Sequence, residues 1–200
     1  MKDIFISHAW KNDNHGRDNH SRCKLLCDKL IEEGFKVWFD SYDMHGNIDK
    51  SIIKGINNSK IFIVCLTEVY INKINEGVLL NKINDNCFKE WNYALFSNKI
   101  IIPVMMEESM HSIWEKNGIL QLYLRSVIYL DILDDNYESN DFKLLCKTLM
   151  TNGLKNNKTI YRSFSNNSFN SITEYFKKLS PRKKNNNRRE RKLIRTVIRI

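Results

Sequence analysis

The sequence predicts a doubly wound α/β domain over residues 1–150, and three observations carry that expectation. Five short apolar runs are spaced along this stretch. The segments between them carry apolar residues at helical rather than strand period. Three of the runs are apolar almost throughout, as strands covered by helices on both faces must be.

Ile4-Phe5-Ile6 is the first run. Cys23, Leu26, Cys27 and Leu30 then repeat at i, i+3, i+4 and i+7, and Gly34 supplies a helix stop. Phe35-Lys36-Val37-Trp38-Phe39 predicts the second strand. Asp40-Ser41-Tyr42-Asp43-Met44-His45-Gly46-Asn47-Ile48 is polar and turn-prone, so it predicts a long exposed loop with Gly46 free to take a positive φ. Ile52, Ile53 and Ile56 form a short stripe before Ser59. Ile61-Phe62-Ile63-Val64-Cys65-Leu66 is the third strand, and Cys87, Trp91, Ala94 and Leu95 make the next stripe. Ile100-Ile101-Ile102-Pro103-Val104 and Val127-Ile128-Tyr129-Leu130 complete the strands, before a last stripe of Leu144, Leu145, Thr148 and Leu149. With right-handed crossovers the simplest topology is a flavodoxin-like five-stranded parallel sheet of order 2-1-3-4-5, helices on both faces. Its switch point lies between strands 1 and 3. Ligands of such sheets bind beyond the carboxyl ends of those strands, here at Ser7-His8-Ala9-Trp10 and after Leu66.

Composition narrows the class. An apolar fraction of 42% supports a real core, and no apolar run is long enough to span a bilayer. The first residues turn polar too quickly for a secretory signal, and five cysteines without framework spacing read as reduced thiols, so a cytoplasmic location is expected. The net charge of +9 is concentrated at one end: residues 182–200 hold nine Lys or Arg against Glu190, which leaves residues 1–181 near +1. Residues 151–180 are an Asn/Ser-rich linker in which Phe169, Ile172, Phe176 and Leu179 match a short amphipathic helix. Residues 181–200 are a basic tail suited to an anionic membrane surface or nucleic acid, with a solvated tail as the plain alternative.

Glu90 is the residue most in need of a reason. It lies three residues after Cys87 and four before Ala94, so its carboxylate sits along an apolar helix face or on its edge. By geometry alone, capping the helix or pairing with a lysine explains it better than chemistry does. The seven scattered glycines form neither a dinucleotide fingerprint nor a P-loop, and no nucleophile elbow is present. His15, His20, Cys23 and Cys27 suggest a metal cluster, yet Cys23 and Cys27 make the buried stripe of the first helix, so no metal is expected. Cys87 reads as core rather than as a nucleophile.

Taken together, Asp3-Ile4-Phe5-Ile6-Ser7-His8, Gly34-Phe35-Lys36-Val37-Trp38-Phe39-Asp40, Gly55-Ile56-Asn57-Asn58-Ser59-Lys60, Asn86-Cys87-Phe88-Lys89-Glu90 and Ile102-Pro103-Val104 resemble the Toll/interleukin-1 receptor (TIR) domain. Met44, His45, Gly46, Asn47 and Ile48 resemble that family's BB loop, an interaction loop. The resemblance implies one of two functions. The first is NAD glycohydrolysis, with NAD as substrate and no resident cofactor, Glu90 as the catalytic carboxylate, and Ser7, His8, Ala9, Trp10, Phe39, Asp40 and Asn86 around the substrate. The second is a non-enzymatic signalling scaffold acting by homotypic TIR self-association. Two departures are visible: Asn86 stands where many enzymatic members have Trp, and Ala9-Trp10 replaces basic residues that often follow the first strand.

Overall fold

A computed structural model describes residues 2–113, 119–124 and 127–154. The expected linker helix and basic tail lie outside the described residues. Five parallel strands run in the order β2-β1-β3-β4-β5, where β1 is Ile4–Ser7, β2 Val37–Trp38, β3 Ile61–Leu66, β4 Ile100–Met105 and β5 Leu130–Asp131. The predicted order is the observed one.

Alternation along the central strands builds two cores. Ile4, Ile6, Ile61, Ile63, Cys65, Ile102 and Val104 face one layer, packed by α1 (Asn19–Glu32) and α8 (Asn140–Thr151). Phe5, Phe62, Val64, Leu66 and Met105 face the other, packed by α3 (Ile48–Asn57), α4 (Glu68–Leu79), α5 (Asn86–Phe96) and α7 (Ile119–Leu124). Both faces of β1 and β3 are thus apolar because each meets a helical layer, the ordinary condition of a parallel sheet. Among the described residues, no helix is long and apolar enough to cross a membrane.

Several expectations are corrected. The edge strands are shorter than the apolar runs that encode them. Phe35 N–H closes α1 by donating to Leu30 O, and Phe39 N–H is taken by Asp43 Oδ2, which leaves only Val37 and Trp38 paired to β1. At the other edge Val127 N–H bonds back to Leu124 O, so pairing begins at Leu130. The long loop after β2 is largely helical: Asp40–Asp43 forms the single turn α2, and Asn47 caps α3 through Lys50 N–H, so that only Met44–Asn47 connects them. Lys2 fixes α2 to the sheet by binding both Asp43 and Val37 O. Helix α4 is not among the elements the apolar spacing predicts. Its buried face reads Tyr70, Ile71, Ile74 and Gly77, with a glycine where the stripe needs an apolar residue. That glycine lets the Phe88 ring approach, since a Cβ there would lie 2.1 Å from it. Ile53 does not join its stripe and is exposed, because adjacent helical positions point some 100° apart.

Gly55 offers a sharp test of the packing. A Cβ at this position would stand 2.7 Å from the Trp38 ring, which is itself stacked on Phe5 at 4.2 Å between centroids. Trp38 therefore has little freedom to yield. Gly55→Ala is expected to cost roughly 1–3 kcal/mol by overpacking, outweighing the helical preference for alanine. Urea denaturation measures it; equal or higher stability would show that the ring moves freely.

Candidate functional site

The carboxyl end of β1 is where buried polar groups collect. Ser7 is fully buried, and its Oγ donates to Glu90 Oε2 at 2.6 Å while also lying 2.9 Å from the Tyr70 hydroxyl. A serine has one hydroxyl proton. With that proton on Glu90, Tyr70 must donate to Ser7, so a directed chain runs Tyr70 to Ser7 to Glu90. Each member comes from a different element: α4, β1 and α5. The order of the sheet puts them together, since β1 and β3 are neighbours and α4 and α5 cover the same face.

Neither capping nor lysine pairing explains Glu90. The cap of α5 is Asp85, which accepts from Cys87 N–H at 2.9 Å and also binds Lys73. Glu90 sits one turn further along, 8% exposed. Burial pushes its pKa up to about 8, with the nearby Asp40 and Asp85 charges adding to this, while the Ser7 hydrogen bond and Lys73 pull the other way. Tyr70 is held well above its ordinary range, chiefly by burial, so its hydroxyl remains a donor. The Cys87 thiol is likewise raised by burial and by the Glu90 and Asp85 charges, and it donates to His8 O, so it is no nucleophile.

Next to this chain lies a second cluster. His8 Nε2 and His20 Nδ1 share a hydrogen bond of 2.8 Å, and Asp40 Oδ2 stands 3.7 Å from the first and 3.8 Å from the second. Trp10 is 65% exposed, lays its ring on His20 at 4.0 Å and donates from Nε1 to Asp40 Oδ2 at 2.8 Å. His8 also stacks on Phe39. Burial, seconded by the His20 charge, lowers the His8 pKa to about 4 against the pull of Asp40, so this imidazole is neutral at pH 7.

Of the residues expected around a ligand, Ser7 touches Glu90, while His8, Trp10, Phe39 and Asp40 form the adjoining cluster. Ala9 differs: its side chain is packed in the core and its carbonyl accepts from Asn19 Nδ2. Asn86 is an exposed first residue of α5. Gly46 has φ +70°, the positive value its loop requires. Cys23 and Cys27 are core residues of α1, separated from His20, which turns instead toward His8. Two participants were hidden from sequence reasoning: Tyr70, because α4 has no readable stripe, and His20, because its partners lie in other elements.

The family model described as TIR domain matches residues 4–146. The chain belongs to the TIR-domain family. The TIR domain of the Toll-related receptor TRR-2 from Hydra magnipapillata is 21% identical, with a TM-score of 0.50, and the match covers 75% of this chain and 99% of that one. The TIR domains of the activated Roq1 resistosome directly recognising the pathogen effector XopQ are 14% identical with a TM-score of 0.42, covering 90% of this chain and 100% of that one. The Hydra match supports the fold of this TIR domain and nothing finer. No curated protein matches the sequence.

Proposed function

We propose that this TIR domain is an NAD glycohydrolase with Glu90 as its essential carboxylate. The observation that carries the reading is the buried Tyr70–Ser7–Glu90 chain at the switch point of the sheet. The leaving nicotinamide is already a cationic pyridinium, so no general acid is needed. The C1′–N bond breaks with its electron pair leaving on nicotinamide, and water adds its oxygen to C1′ while its proton passes to Glu90 or solvent. Ionised Glu90 stabilises the oxocarbenium-like transition state, and Ser7 holds its carboxylate in place. Trp10, exposed beside the site, offers an aromatic face to a base of the dinucleotide.

The test is nicotinamide release from NAD by concentrated protein, wild type against Glu90→Ala. Release by the wild type that Glu90→Ala abolishes supports the reading; equal release by both removes it. The pH profile adds detail. Because kcat/KM reports the free enzyme, it is expected to rise with a midpoint near pH 8 as Glu90 ionises. Ser7→Ala removes a hydrogen bond that favours the ionised form, so its midpoint is expected to move up by roughly one pH unit. An unmoved midpoint would show that Ser7 does not tune Glu90.

The second reading is a scaffold acting through TIR–TIR contacts, favoured by the exposed connection around Gly46 and the exposed Ile48 beside it. Proline cannot adopt the φ of +70° that Gly46 holds. Gly46→Pro is therefore expected to abolish concentration-dependent self-association measured by light scattering. For a pure scaffold, the wild type would show no NAD turnover under any condition.

A further inference from the structure

We propose that His8, His20 and Asp40 form a binding site for a divalent transition cation of the zinc class. The three donor atoms come from the end of β1, the first turn of α1 and the first turn of α2. Their separations of 2.8, 3.7 and 3.8 Å define a triangle whose equidistant point lies about 2.0 Å from each atom, the length of a zinc–nitrogen or zinc–oxygen bond. Widening the His8–His20 contact by about 0.5 Å and drawing Asp40 Oδ2 in by about as much would give the roughly 3.3 Å edges of a tetrahedral centre.

The surroundings also fit a metal site. His20 Nε2 lies 2.9 Å from Ser41 Oγ, so donation there leaves the Nδ1 lone pair turned to the cluster. Asp40 Oδ1 accepts from Ser41 N–H at 2.7 Å and Oδ2 accepts from Trp10. Ligating imidazoles and carboxylates are ordinarily oriented by such outer bonds. Now the two rings share one proton between Nε2 and Nδ1. When a cation binds, that proton moves to the other nitrogen of its own ring and both facing nitrogens donate lone pairs. Two imidazoles with one carboxylate suit zinc or cobalt rather than magnesium or calcium, and a fourth position stays open to water or an anionic oxygen. Bound there, the cation would cross-link β1, α1 and α2 at the carboxyl end of the sheet. This inference is independent of the hydrolase reading.

The experiment titrates the chelator-treated 200-residue chain with Co²⁺ at pH 7, followed by Zn²⁺ competition and a Mg²⁺ control. The wild type is expected to bind one Co²⁺ with a visible spectrum lacking thiolate charge transfer, and to release it to Zn²⁺ but not to Mg²⁺. His20→Asn and Asp40→Asn should abolish the spectrum, and Ser41→Ala, at the rim, should weaken binding by about 10-fold. Circular dichroism of each metal-free variant confirms folding. No cobalt spectrum in the wild type overturns the site, as does a thiolate band or equal binding by the folded variants.

Discussion

Arg22→Ala is expected to lower the unfolding free energy by about 3–5 kcal/mol, the cost of removing one partner from a buried ionic network. Arg22 belongs to α1 but is spent on the far end of the sheet. Nη1 donates to Asp13 Oδ2 and Met106 O, Nη2 to Ile132 O and Leu133 O, and Nε to both Asp135 oxygens. All five N–H donors of the guanidinium are thereby used. Truncation would take Ile132 O's guanidinium partner away, leave Met106 O and Leu133 O to Arg17, and leave Asp13 with Arg17 and the His15 N–H. Each orphaned buried group adds its own desolvation cost. Lysine keeps the charge but has three donors, so Arg22→Lys should recover less than half of the loss. Urea denaturation of both variants measures this; a loss under about 1 kcal/mol for Arg22→Ala would show that water replaces the guanidinium freely.

The second large effect concerns Glu90 and has opposite signs for stability and activity. Its folded pKa of about 8 stands above its ordinary value of 4.5. Folding therefore favours the protonated form. That contribution to stability is fully present below about pH 4.5 and is lost as pH rises through 8, at up to about 1.4 kcal/mol per pH unit. Glu90→Gln keeps the shape, accepts the Ser7 hydrogen bond and never ionises. At pH 5 it should melt close to the wild type, and at pH 9 it should be more stable by a few kcal/mol. Thermal denaturation at the two pH values checks this. A variant less stable than the wild type at pH 9 would mean that the ionised carboxylate is well solvated in the fold.

The limits of sequence reading follow from where the information lies. β1, β3 and β4 were legible because a strand packed on both faces is written as a continuous apolar run. β2 and β5 were overextended because their ends are decided by caps and turns, such as Phe39 N–H to Asp43 and Val127 N–H to Leu124 O. Helix α4 escaped because Gly77 holds a place on its buried face for the Phe88 ring. At the site, the helical spacing around Glu90 showed an acid facing the core. Its partners could not be read the same way: Ser7 and Tyr70 are 63 residues apart and meet only through the neighbouring of β1 and β3. His20 is similar. Spacing grouped it with Cys23 and Cys27, whereas its ring lies beyond the sheet edge beside His8 and Asp40.

In the proposed reaction the buried Glu90 carboxylate, held by Ser7, stabilises the breaking glycosidic bond. Nicotinamide release from NAD by Glu90→Gln at pH 8.5 tests it most directly, because this variant is expected to be at least as well folded as the wild type and cannot ionise. The wild type is expected to release nicotinamide and the variant to lose at least about 100-fold of that activity. Release by Glu90→Gln at the wild-type rate would contradict it.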